Sequence, residues 1–143
     1  MEDRIINILL VEDDEVDIMN VERAFKKGKI TNPLYIAGNG IEALAMLRSS
    51  TEQPSPLPAK RILILLDLNM PKMNGLEFLQ ELRQDEELKR TPVIVLTTSD
   101  EDKDRIEAYN LNVAGYILKP VTFNNFAEVM VALNKYWALC EMP

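Results

Sequence analysis

The stretch "ILILLDLNMPKMNG" (residues 62–75) runs five apolar residues into one carboxylate, Asp67, and then through Asn69, Pro71 and an Asn–Gly pair. A short, continuous apolar run reads as a strand buried on both faces. Asp67 at its end is a helix cap, a metal ligand or a nucleophile. Burying a lone charge behind such a run is costly without a partner, which argues against a mere turn former. Asn74–Gly75 reads as turn and helix-start chemistry.

Four more runs share the pattern: "INILLV" (6–11), "LYIAG" (34–38), "VIVLTT" (93–98) and "YILK" (116–119). Helical patterns fall between and after them, near 15–27, 40–49, 75–85, 101–110 and 122–139. Strand–helix alternation, five times over, predicts an α/β fold: a five-stranded parallel sheet with helices on both faces, (βα)5 doubly wound. The proline-bearing segment "SSTEQPSPLPAK" (49–60) reads as a surface connection. The chain of 143 residues is expected to form a single domain, with no output domain after residue 139.

Composition narrows the function. The chain is 47% apolar, enough for a core, and carries a net charge of −7. That charge argues against nucleic acid and against an anionic membrane surface, since both need clustered Lys and Arg. No apolar run approaches the roughly 20 residues of a membrane span. The acidic N-terminus enters a strand pattern at once, so no signal peptide is expected, and the single Cys140 suits a reducing, cytoplasmic location. The chain contains no histidine. Zinc held by histidine, a histidine base and serine–histidine or cysteine–histidine nucleophiles are therefore excluded.

In doubly wound sheets, ligands sit beyond the carboxyl ends of the strands. Strand one ends in Glu12, Asp13 and Asp14; strand three in Asp67; strand four in Thr97, Thr98 and Ser99; strand five in Lys119 and Pro120. Asp14 and Glu15 read as acids at the first helix N-terminus. The remaining acids repel one another unless a cation compensates. An all-oxygen donor set suits a hard cation, Mg²⁺ above Zn²⁺. Asp13 and Asp67 are expected as direct ligands, with Glu12 holding a metal-bound water. The other oxygen of Asp67 can attack phosphorus, as carboxylates do in aspartyl-phosphate enzymes. Lys119 and the Thr97 hydroxyl would stabilise the phosphoryl oxygens.

These residues resemble the response-regulator receiver domain, a flavodoxin-like fold, over nearly the whole chain. The motifs are "LLVED" with Glu12 and Asp13, "LLDLNMPKMNG" with Asp67, "PVIVLTT" with Thr97, and "AGYILKP" with Tyr116 and Lys119. The resemblance implies that Asp67 is the phosphoacceptor and that Thr97 and Tyr116 form the switch. It further implies that Asn69 offers Mg²⁺ its backbone carbonyl, and that the Lys119–Pro120 bond is cis. Thr98 departs from the family's usual small residue and bears on access to the site. More narrowly, the chain is similar to the stand-alone regulators of cyanobacterial phytochromes, through the proline-bearing loop, "LDLNMPKMNGLEFLQELR" and the late "KYW".

The resemblance implies a two-component regulator, not an enzyme in its own right. It would accept a phosphoryl group from a histidine kinase, with a phytochrome as the candidate kinase, and signal by protein contact or pass the phosphate onward in a phosphorelay. A dehalogenase-like phosphatase would need a second acid two residues after the nucleophile, where Asn69 stands. A flavodoxin-like cofactor binder would need a phosphate loop where three acids stand. A pseudo-receiver that only binds partners is disfavoured by the intact acid set. The last helix, "TFNNFAEVMVALNKYWAL" (122–139), adds Val129 and Tyr136 to the apolar face of Phe123, Phe126, Met130, Leu133 and Trp137. That wide stripe predicts a homodimer through this helix.

Overall fold

The computed structural model describes residues 6–48, 61–68, 73–97, 106–107, 111–119, 122, 124–125 and 127–128. Its elements run β1 (Asn7–Val11), α1 (Glu15–Lys27), β2 (Leu34–Ala37), α2 (Gly40–Leu47), β3 (Ile62–Asp67), α3 (Gly75–Gln84), β4 (Val93–Thr97) and β5 (Gly115–Leu118). The five strands form one sheet in the order β2-β1-β3-β4-β5, and each neighbouring pair is parallel. The strand order reverses between β1 and β3, the place where such sheets open a crevice for ligands.

The apolar runs are two-faced. Leu9, Val11, Ile64, Leu66, Val93 and Val95 pack into one core with Ala43 and Leu44 of α2 and Phe78, Leu79 and Leu82 of α3. Ile8, Leu10, Leu63, Leu65, Ile94, Leu96 and Ile117 pack into the other, with Val21, Ala24 and Phe25 of α1. Side chains alternate along a strand, so a run buried on both faces must be apolar at every position. Such continuous runs show no period of their own.

Local signals set the helix starts. Asp14 caps α1 by accepting from the Val16 and Asp17 amides. The expected role of Asp14 at that N-terminus is thereby borne out. Asn74 and Glu77 form a capping box at α3. Gly75, which follows, is buried, and a Cβ there would lie 2.5 Å from Leu68 Cα and closer still to the Asp67 carbonyl oxygen. The Asn–Gly pair therefore does more than turn the chain: it lets α3 begin against the backbone of Asp67 itself.

Arg83 of α3 was not singled out in the sequence. Its Nε donates to the Leu111 carbonyl, Nη1 to those of Lys89 and Thr91, and Nη2 to that of Asn112. One guanidinium thus ties the segments leading into β4 and β5. The loop 49–60 lies outside the described residues, as do Asn69, Thr98, Ser99 and Pro120 with its expected cis bond. Of the helix expected near 101–110, Ile106 and Glu107 are helical. In the last helix, Asn124, Asn125, Ala127 and Glu128 are helical. Thr122 and Asn125 exchange side-chain–amide hydrogen bonds that cap its start. The remainder of that helix, with every residue of the expected dimer face, lies outside the described residues.

Candidate functional site

The site is the end of one row of the sheet. On the α1 side, Leu10 of β1, Leu65 of β3 and Ile117 of β5 are core residues. Two residues further along the same strands come Glu12, Asp67 and Lys119. Alternation carries all three to the α1 side, just where the apolar rows stop. The α1 stripe that covers those rows also extends toward the site. Asp17 precedes Val21 by four residues and Ala24 by seven, so it shares their face.

Lys119 joins these groups. Its Nζ donates to Asp67 Oδ1 at 2.9 Å and to Asp17 Oδ2 at 2.9 Å, and lies 3.1 Å from Glu12 Oε2. Glu12 and Asp67 are buried, with 1% and 3% of their surface exposed. Asp13, beside them, is exposed. One carboxylate oxygen from each of Glu12, Asp13 and Asp67 lies within 4.8 Å of the others. Asn69, expected to contribute a carbonyl to the same place, lies outside the described residues.

Charge is unbalanced here. Four carboxylates (Glu12, Asp13, Asp17 and Asp67) surround or adjoin one ammonium. Burial, and then the charge of Asp67, push the Glu12 carboxyl up to about 7. Burial by itself would lower the Lys119 pKa. Hydrogen bonds to Asp17 and Asp67, with the charges of Glu12 and Asp67, outweigh burial and hold the ammonium above its ordinary value. Glu12 Oε1 accepts from the Asp14 amide at 3.2 Å. Glu12 Oε2 is buried and faces Lys119 Nζ at 3.1 Å, an ammonium it shares with Asp17 and Asp67. Buried Glu12 and Asp67 share one ammonium and stand beside a third acid, Asp13, a donor set that fits an oxygen-seeking divalent cation.

The expected switch residues flank this cluster. Thr97 closes β4, where its Cα pairs with Leu118. Tyr116 pairs with Val95 two residues earlier, and its ring packs on the core opposite α1. Burial, then the charge of Glu107, hold its phenol above the usual range, so it stays neutral.

The sequence matches the response regulator receiver domain family over residues 8–131. The chain belongs to that family. It is similar to response regulator Rcp1 of Synechocystis sp., with 40% identity over 91% of this chain and 87% of that protein. A solved structure of Rcp1 in its Mn²⁺-bound form superposes with a TM-score of 0.70 at 39% identity, covering 95% of this chain and 97% of that one. The bacteriophytochrome response regulator RtBRR superposes with a TM-score of 0.82 at 36% identity, covering 97% of this chain and 84% of that one. The phosphorylated cyanobacterial phytochrome response regulator RcpA gives 0.73 at 34% identity, covering 96% and 97%. This receiver is therefore a two-component response regulator domain close to phytochrome-associated regulators, and the flavodoxin-like fold expected from the sequence is borne out.

Among the described residues of the receiver, the structure brings Glu12, Asp13, Asp67 and Lys119 together. Sequence reasoning missed Asp17. An acid in the first turn of a helix is ordinarily accounted for by the helix dipole and draws no attention to itself. The available signal was its spacing from Val21 and Ala24, which places a charge on the buried stripe of α1.

Proposed function

We propose that this receiver accepts a phosphoryl group from a partner histidine kinase on Asp67, in a reaction that requires Mg²⁺. The observation that carries this reading is the Glu12–Asp67–Lys119 cluster, in which two buried carboxylates share one ammonium beside Asp13. A carboxylate oxygen of Asp67 attacks the phosphorus of the kinase phosphohistidine. The new bond is O–P, the P–N bond breaks, and the departing imidazole keeps the electron pair and takes a proton. Glu12, Asp13, Asp67 and the Asn69 carbonyl would hold Mg²⁺, which supplies neutralising charge for the phosphoryl oxygens. Lys119 stands at Asp67 Oδ1 and presents an N–H where those oxygens arrive. The phosphorylated and Mn²⁺-bound relatives support this reading by likeness.

The 143 residues act as a single signalling domain, not as a turnover enzyme. The added group carries about −1.5 to −2 charges. Thr97 turns toward it, Tyr116 follows, and the surface beyond β4 and β5 changes for a downstream protein. A phytochrome is the candidate kinase, by likeness to the phytochrome regulators alone. The last helix pairs two copies, on the pattern of its sequence.

Acetyl phosphate labelling followed by intact mass tests the reading. One phosphoryl group is expected with Mg²⁺, and none with EDTA or in Asp67→Asn. Label that persists in either case refutes it.

A further inference from the structure

An ammonium has three N–H donors, and Lys119 has three carboxylates around it. Two of them, Glu12 and Asp67, belong to the group of acids that fits a divalent cation; Asp17 stands outside that group. Lysine and a divalent cation therefore draw on the same two carboxylates, and two cations sharing them repel each other. The ammonium stands against both Glu12 and Asp67, where it competes with a metal for them. Asp17 offers it another anchor, 2.9 Å away on α1. The contact joins groups far apart in the chain, and its side chains are largely shielded, with 13% of Lys119 and 28% of Asp17 exposed.

We propose that Asp17 is a positioning residue, the anchor that keeps the Lys119 ammonium when Glu12 and Asp67 take a divalent cation. The proposal deepens the functional reading above and rests on it. Asp17 does not touch the phosphoryl group or the metal; it acts through Lys119. A plain staple between α1 and the end of β5 would stabilise the fold without favouring metal over lysine. A plain negative charge near the site would attract metal whether or not Lys119 were present.

A double-mutant cycle separates these roles. Mg²⁺ is titrated by calorimetry into the full chain as wild type, Asp17→Ala, Lys119→Met and the double variant, with folding followed by circular dichroism. Asp17→Ala is expected to weaken Mg²⁺ binding roughly three- to tenfold. In the Lys119→Met background the same change is expected to alter affinity by less than about twofold. Asp17→Asn keeps the shape and one neutral acceptor, and serves in the same cycle where the alanine variant does not fold; a smaller loss of the same pattern is expected. Equal losses in both backgrounds, or unchanged affinity in Asp17→Ala, overturn the proposal. A wild-type chain that takes no Mg²⁺ at all overturns the functional reading, and this proposal with it.

Discussion

Replacing Gly75 with alanine tests the claim that α3 is seated on the backbone of the phosphoacceptor. The added Cβ would lie 2.5 Å from Leu68 Cα and 2.9 Å from Leu68 Cδ2, and closer still to the Asp67 carbonyl oxygen. Carbon atoms in good contact stand about 3.5–4 Å apart, so the helix start must retreat by roughly 1 Å. Two of the three obstructing atoms are backbone and cannot rotate away. Overpacking of this kind costs about 1–3 kcal/mol, and the upper end applies here. Loss of glycine's freedom in the unfolded chain returns about 0.4–1 kcal/mol. The net destabilisation is about 2 kcal/mol. With a urea slope of about 2 kcal/mol/M for a domain of this size, the midpoint falls by about 1 M. Retreat of the helix also strains the Gly75 N–H to Leu68 carbonyl bond, now 3.0 Å, and moves Asp67 with it. Urea unfolding by circular dichroism and acetyl phosphate labelling of the same samples are expected to show both losses. A midpoint within about 0.2 M of wild type would show that the close approach is not a constraint.

Glu12 gives a pH signature in EDTA. Its folded pKa of about 7 exceeds the reference value of 4.5, so between those values the native state binds more protons than the unfolded one. Its contribution to stability is present below about pH 4.5 and lost as the pH rises to 7, by on the order of 3 kcal/mol. The urea midpoint should fall over that window in wild type and less so in Glu12→Gln; parallel profiles refute the shift. Thr97→Ala should still accept phosphate on Asp67, while hydrogen-exchange changes near Tyr116 shrink on phosphorylation; a response like the parent's places the coupling elsewhere. Analytical ultracentrifugation at micromolar concentration should show a dimer weakened by Tyr136→Glu, and a monomer at high concentration, phosphorylated or not, rejects pairing through the last helix.

The architecture was legible because parallel strands covered on both faces must be apolar throughout. "ILILL" and its counterparts have no polar face to disguise them, and the helices between them announce themselves by caps such as Asp14 and Asn74. The acids and the lysine were legible too, since a charge placed directly after such a run has to find a partner at the strand end. Strand pairing was legible only through the resemblance to a flavodoxin-like family, not from the strands themselves. Only the order β2-β1-β3-β4-β5 puts the ends of β1 and β3 side by side, and only alternation from Leu10, Leu65 and Ile117 turns Glu12, Asp67 and Lys119 to one face. Tertiary structure alone decided which carboxylates Lys119 binds. Asp17 is 102 residues away in the chain, and no local pattern records so distant a contact. It forms because α1 packs its Val21–Ala24 stripe on the same row of strands that ends in the lysine.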